Sequence, residues 1–432
     1  LEVVPLCTFK ITNYPNILPI DTFLELGGPT LAKTHQEDDL SFTHYLLPIT
    51  GEITPQPIIK DDMLYMLLGE VYNYNKLAYK SDIYTVIEQY LIHKDNFTNY
   101  LDGEFLIIIY DMKKKLINFY TDPWATKMCW FDTFSSYFYF GSFKLSRESV
   151  RLKHNSHYTF DFINKRLVCE NNELHKWDLR QFKDSYNDWD TAFFEAVKKR
   201  HHKETVLALS GGVDSQAIAA CLSDLKLNFE AITLSLSDCE DKNSIYSIKK
   251  YIQNSCENIY YINSNYSLNE DSDSFKLLLD NKIEYYALSY VCAKMKVLRK
   301  RVLFTGSGAD EIIDNYINKY KLKGKPFVSM TEWPEDLENN FPYDHFYENR
   351  QRKLIDIQQY VSLSYGIETR NPFLDKKLAQ EWLWISHSLK NKESKGPIKN
   401  FLRSRNIYIS EKILGLGDQN TKLSSNYDTM LS

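Results

Sequence analysis

The chain has 432 residues, 43% hydrophobic and 25% charged, with 52 basic and 57 acidic side chains and a formal net charge of -5. That length corresponds to two or three domains of ~150 residues, and the composition excludes disorder as the main theme. With a pI near 6.1 there is no global attraction to nucleic acid or to an anionic membrane, and neither partner is expected.

Aromatic residues make up 14% of the chain, mostly Tyr and Phe. In the first 170 residues many lie in alternating stretches such as SSYFYFGSF (135–143) and HYTFDF (157–162), the period of a strand. From about Asn187 the pattern changes to helical periods separated by short apolar strands. A domain boundary is therefore expected between Val168 and Trp189, with a β-rich front and an α/β back. The longest apolar runs, such as Phe105 to Tyr110, fall far short of the ~20 residues that span a bilayer. The seven cysteines, Cys7, Cys129, Cys169, Cys221, Cys239, Cys256 and Cys292, form no C-x-x-C pair and are odd in number, against both a disulfide framework and a zinc ribbon. A soluble, cytoplasmic chain is expected. Its first residue, Leu1, leaves the true start open.

The segment VLALSGGVDSQAIAACL (206–222) reads as strand, polar loop, helix. Gly211 and Gly212 let successive N–H groups turn inward as an anion nest, and the helix start adds its positive end. Ser210 and Ser215 can donate to phosphate oxygens. Asp214 would be repelled by phosphate unless a divalent cation lay between them, so a magnesium–nucleotide site accounts for it. Leu209, Ser210, Gly211, Gly212, Val213, Asp214 and Ser215 are the candidate nucleotide-binding residues; an ordinary Gly-Gly turn capped by Ser215 is the bland alternative. With S-G-G-V-D-S after such a strand, the chain resembles the PP-loop ATP pyrophosphatases.

Two further segments narrow the resemblance to the asparagine synthetase-like family. VLFTGSGADEII (302–313) is similar to that family's S-G-E-G-x-D-E segment, and SYGIETRNPFLD (364–375) to its G-x-E-x-R-x-P-F-L-D signature. The resemblance implies ATP and Mg2+ as cofactors, Asp214 and Asp310 as metal ligands, and catalytic positions at Gly306, which also serves the nucleotide, and Ser307. It implies adenylation of a substrate carboxylate with release of pyrophosphate, then attack by an amine. A C-terminal lysine is expected near the leaving group; Lys412 in EKILGLGDQNTK is the choice, with Lys422 and Lys395 as rivals. Glu368 is the family-positioned base for the amine, or else a partner of Arg370. EYYALSY (284–290) lines the acyl pocket by position or simply packs in the core.

The front ~165 residues are similar to the family's N-terminal-nucleophile glutaminase domain in LDGEFLIIIYD (101–111), LGEVYNY (68–74) and GGPT (27–30). The fold implied is an Ntn-hydrolase-like αββα sandwich over residues 1–170, followed by a doubly wound parallel PP-loop sheet over 185–432. Glutamine hydrolysis there needs an N-terminal Cys whose own amine is the base, an Asn–Gly oxyanion pair and an Arg. Here Cys7 follows six residues, Leu68 replaces the Asn, Tyr45 stands at the Arg, and Asp82 alone matches. A scaffold that does not hydrolyse glutamine is expected. Ser307 in place of the family's Glu points the same way, since a serine is no carboxylate base near neutral pH. The reading is an ATP-dependent amide ligase taking a small-molecule or peptide carboxylate and an amine donor. Alternatives are asparagine formation from aspartate and ammonia, a PP-loop tRNA-modifying enzyme, and an inactive scaffold. Homo-oligomerisation is left open.

Overall fold

The computed structural model describes residues 7–409 apart from 17, 19, 29, 48, 50, 76, 236–241, 264–281 and 314–331. The first elements are β1 (Thr8–Thr12), α1 (Asp21–Leu26), β2 (Leu31–Glu37), β3 (Leu40–Leu46), β4 (Ile58–Lys60), β5 (Met63–Val71), α2 (Ile83–His93), β6 (Gly103–Asp111), β7 (Leu116–Thr121), β8 (Trp130–Phe134), β9 (Tyr137–Gly141), β10 (Val150–Arg151), β11 (His157–Asp161) and β12 (Arg166–Asn171). Then come α3 (Asn187–Arg200), β13 (Thr205–Ala208), α4 (Val213–Asp224), β14 (Phe229–Ser235), α5 (Lys242–Ile252), β15 (Cys256–Asn263), α6 (Lys282–Val297), β16 (Val302–Phe304), α7 (Ala309–Ile313), α8 (Arg350–Tyr365), β17 (Glu368–Arg370), α9 (Lys376–Trp384), α10 (His387–Lys390) and α11 (Gly396–Arg403). Among the described residues no helix is long and apolar enough to cross a membrane.

Two compact units result. The first takes residues 1–179 together with Pro342–Glu368 and Leu374–Lys376, so α8, which the sequence places in the second domain, counts with the first. Its strands form two six-stranded sheets, β10-β8-β9-β1-β3-β2 and β12-β11-β7-β6-β5-β4. The two-residue period of a strand sorts side chains to opposite faces. On β5 and β6, Leu64, Met66, Leu106 and Ile108 join Phe9, Phe42, Phe138 and Phe140 between the sheets, while Tyr65, Leu67, Ile107 and Ile109 pack with Ile83, Val86 and Ile87 of α2. A sheet buried on both faces explains why these two strands read as near-continuous apolar runs. On the outer face of the first sheet, Thr8 Oγ1 donates to Leu24 O of α1 at 2.6 Å, and the ring of Tyr360 of α8 lies tilted against those of Trp130 and Phe143. The layers are helix, sheet, sheet, helix. The packing of Tyr360 and Ile355 is what draws α8 into this unit, information that its sequence pattern does not carry.

The second unit, residues 180–341, 369–373 and 377–432, is built on a five-stranded sheet in the order β15-β14-β13-β16-β17. The pairs β13–β14, β13–β16 and β14–β15 are parallel. Counted from β13 the order is 3-2-1-4-5, so the direction of winding reverses between β13 and β16. Open α/β sheets place ligands outside the carboxyl ends of the strands at that reversal. Behind it, α4 is buried from Ser215 to Leu222 and packs on α3, α5 and α11.

Ile108, wholly buried between the two sheets of the first unit, is the position to test this core. Ile108→Ala should cost ~2–5 kcal/mol, read as a lowered urea midpoint with little change in slope; a loss under about 1 kcal/mol would contradict the packing.

Candidate nucleotide site

The site grows from the two loops at the winding reversal. After β13, Leu209 N donates to Ile232 O at 2.9 Å and extends the ladder by one residue. The chain then turns through Gly211 at φ +77, a left-handed value that glycine adopts at little cost. The turn is tied by its own side chains. Ser210 N donates to Ser215 Oγ at 3.2 Å, Ser215 Oγ donates to Gly212 O at 3.1 Å, Gly212 N donates to Ser210 Oγ at 3.3 Å, and Gln216 Nε2 donates to Gly211 O at 2.9 Å. Ser215 is therefore a loop-forming residue whose hydroxyl proton is directed to Gly212 O. Gln216 shares that work; the sequence reading assigned it only to the helix.

After β16 the second loop is held as closely. Thr305 Oγ1 donates to Asn371 Oδ1 at 2.6 Å and accepts from Ser307 N at 3.3 Å. Gly308, at φ +95, donates its N–H to Glu311 Oε2 at 3.0 Å, so Glu311 closes the start of α7. At Gly306 a Cβ would come within 2.9 Å of Asp214 Cβ, closer than side-chain carbons approach, and this glycine lets the two loops touch.

Asp214, in the first turn of α4, and Asp310, in the first turn of α7, meet on one cation. Lys395 Nζ lies 2.7 Å from Asp214 Oδ2 and 2.7 Å from Asp310 Oδ1. Burial alone would push the lysine down, but the two carboxylates outweigh it and hold the ammonium above its ordinary range. In the sequence Lys395 stood only as a rival to Lys412, and nothing there paired it with the two acids. Among the described residues, no three His, Cys, Asp or Glu side chains gather as a metal cluster. Two carboxylates suffice for magnesium, which takes hard oxygen donors and keeps waters and phosphates as its remaining ligands.

The structure thus brings together Leu209 to Ser215, Gly306, Ser307 and Asp310. Lys412 and Lys422 lie outside the described residues. Arg370 is buried and donates Nη1 to Arg200 O at 2.7 Å, at the end of α3. Glu368, also buried, counts with the first unit, where its charge acts on Cys7 and Asp82. Of EYYALSY, residues 284–286 have no described side chains, and Ala287 and Ser289 are buried.

In the first unit, Cys7 Sγ accepts from Leu47 N at 3.2 Å. Burial, with smaller contributions from Glu368, Glu70 and Asp82, pushes its thiol up to about 12. Burial likewise raises Asp82 to about 6, against hydrogen bonds from Val71 N and Ser81 Oγ that favour the ionised form.

A family model described as NAD synthase matches residues 186–306, the stretch that carries both loops as far as Gly306. A putative glutamine-hydrolysing asparagine synthetase of Methanocaldococcus jannaschii is 23% identical, covering 89% of this chain and 76% of that protein. Across most of its length, and at low identity, the chain is similar to asparagine synthetases. A second relative, the glutamine-hydrolysing asparagine synthetase 1 of Lotus japonicus, is 22% identical over 95% of this chain and 74% of its own length. Likeness to solved structures is weak: for NMN synthetase from Francisella tularensis the TM-score is 0.24 at 10% identity, over 54% of this chain and 99% of that one, too low to speak for the fold.

Gly306→Ala should force the two loops apart at Asp214. We expect a folded protein, with unchanged far-ultraviolet circular dichroism, that binds an ATP analogue about tenfold more weakly, in line with an overpacking strain of ~1–3 kcal/mol. Unchanged affinity would show that the close approach is immaterial.

Proposed function

We propose that this asparagine synthetase-like protein is an ATP-dependent, amide-forming ligase whose second unit transfers AMP to a substrate carboxylate. A carboxylate oxygen attacks the α-phosphorus, the bond to pyrophosphate breaks, and an amine then displaces AMP from the acyl carbon to leave the amide. The observation that carries this reading is the convergence of Asp214 and Asp310 from two loops beside the Ser210–Ser215 turn. In this reading Asp214 and Asp310 hold magnesium, which when bound neutralises charge on the triphosphate. The turn receives phosphate, Gly306 and Ser307 flank the acyl group, and Lys412 faces the departing pyrophosphate.

We further propose that the amine is not ammonia released from glutamine. A thiol raised to about 12 is protonated and a poor nucleophile at neutral pH. Its nitrogen is a peptide N–H in this sequence, and Leu68 and Tyr45 occupy the positions of the oxyanion Asn and the Arg. The likeness to asparagine synthetases favours one second reading, asparagine formation from aspartate, and the same assay separates the two.

Exchange of labelled pyrophosphate into ATP with a panel of carboxylic acids that includes aspartate, followed by product mass spectrometry with ammonium, glutamine or other amines, tests the proposal. Exchange that depends on one acid is expected, with Asp214→Asn lowering it by about 100-fold. Glutamine should yield neither product nor glutamate. No exchange with any acid, together with no ATP binding, sinks the ligase reading, and glutamate release overturns the claim about the first unit.

Glu368 is the proposed base for the amine. Glu368→Gln should keep pyrophosphate exchange within about threefold while amide product falls by about 100-fold; exchange and product falling together would mark a packing role beside Asp82 instead.

A further inference from the structure

The ion triad of the second unit contains more cation than the proposed chemistry has yet used. Lys395 is 8% exposed and sits at the residue that caps α11, with a left-handed backbone of φ 55 and ψ 34. That conformation is unfavourable for a lysine and persists only where the surroundings hold it. Its ammonium is anchored by Asp214 and Asp310, each at 2.7 Å. Next in the chain, a Cβ on Gly396 would come within 2.3 Å of Tyr186 Oη, so α11 starts flush against that tyrosine.

The same two carboxylates are the ones assigned to magnesium. Magnesium binds oxygen at about 2.0–2.1 Å, and a divalent ion on these oxygens would lie almost in contact with the ammonium. At that separation the two cations repel each other and compete for the same oxygens, which disfavours joint occupancy. We propose that Lys395 is a tethered placeholder for the metal: it holds Asp214 and Asp310 until a metal–nucleotide complex binds, then withdraws from them to the phosphate oxygens. The proposal rests on the ATP reading above. Exchanging one cation for another spares the site two bare acids facing each other. A tethered ammonium also competes with metal alone at high effective concentration, whereas metal carrying a triphosphate offers the released lysine new anionic partners. Metal and nucleotide therefore bind together, and metal alone binds poorly.

Free Mn2+ measured by electron paramagnetic resonance, with and without a non-hydrolysable ATP analogue, tests this on the full chain. The unaltered protein should bind Mn2+ weakly alone and at least tenfold more tightly with the analogue. Lys395→Asn, whose side chain tolerates the left-handed backbone, and Lys395→Met should each bind Mn2+ alone about tenfold more tightly than the unaltered protein. Either variant folded, by its circular dichroism, with Mn2+ affinity unchanged or weakened overturns the proposal. So does tight Mn2+ binding by the unaltered protein without nucleotide, a result that decides the matter even if both variants fail to fold. If the analogue binds and the variants gain no metal affinity, the placeholder role alone falls. If the analogue does not bind the unaltered protein, with or without Mn2+, the ATP reading falls and takes the placeholder with it.

Discussion

Because β13 and β16 pair in parallel, the chain must leave both strands at the same end, and the loops that follow have no choice but to meet there. Winding reverses between these two strands, and a crevice at their carboxyl ends is the default outcome of the topology. The local chemistry follows from that constraint. Gly211 and Gly308 supply left-handed turns, Gly306 removes the one Cβ that would keep the loops apart, and Asp214 and Asp310 are left pointing at a common volume. An uncompensated pair of acids there would be costly, and Lys395 meets that cost from a third segment.

The first unit shows the complementary case, in which apolar packing dominates and the polar groups sit at its margin. Its two sheets bury Phe9, Phe42, Met66, Ile108 and Phe140 between them, and Leu68 belongs to the same cluster. Tyr45, like Leu68, is buried. Cys7, Asp82, Glu70 and Glu368 form an acidic, desolvated neighbourhood in which a thiolate is disfavoured.

Much of the architecture was legible in advance because it rests on local rules. The alternation in SSYFYFGSF put Phe138 and Phe140 on one face and Tyr139 on the other, and the structure has the two phenylalanines in the inner cluster while Tyr139 donates its hydroxyl to Phe143 O. The strand–loop–helix run at 206–222 likewise has few ways to fold. Less legible were residues whose work depends on a distant partner. Gln216 and Glu311 each tie a loop whose shape is invisible in sequence, Asn371 meets Thr305 across 66 positions, and α8 packs with the first unit through Tyr360.

By itself the sequence determined the strand and helix periods, the two glycine-rich loops and the identity of the acids within them, because these depend on side-chain spacing and on backbone freedom at single residues. Tertiary structure alone decided which lysine those acids share. Lys395, Lys412 and Lys422 carry the same charge on the same flexible stem, and the flanking residues favoured Lys412 by resemblance alone. The packing of α11 against α4 carries Lys395 to within 2.7 Å of both carboxylates, since Coulomb attraction is set by distance in space and takes no account of separation along the chain.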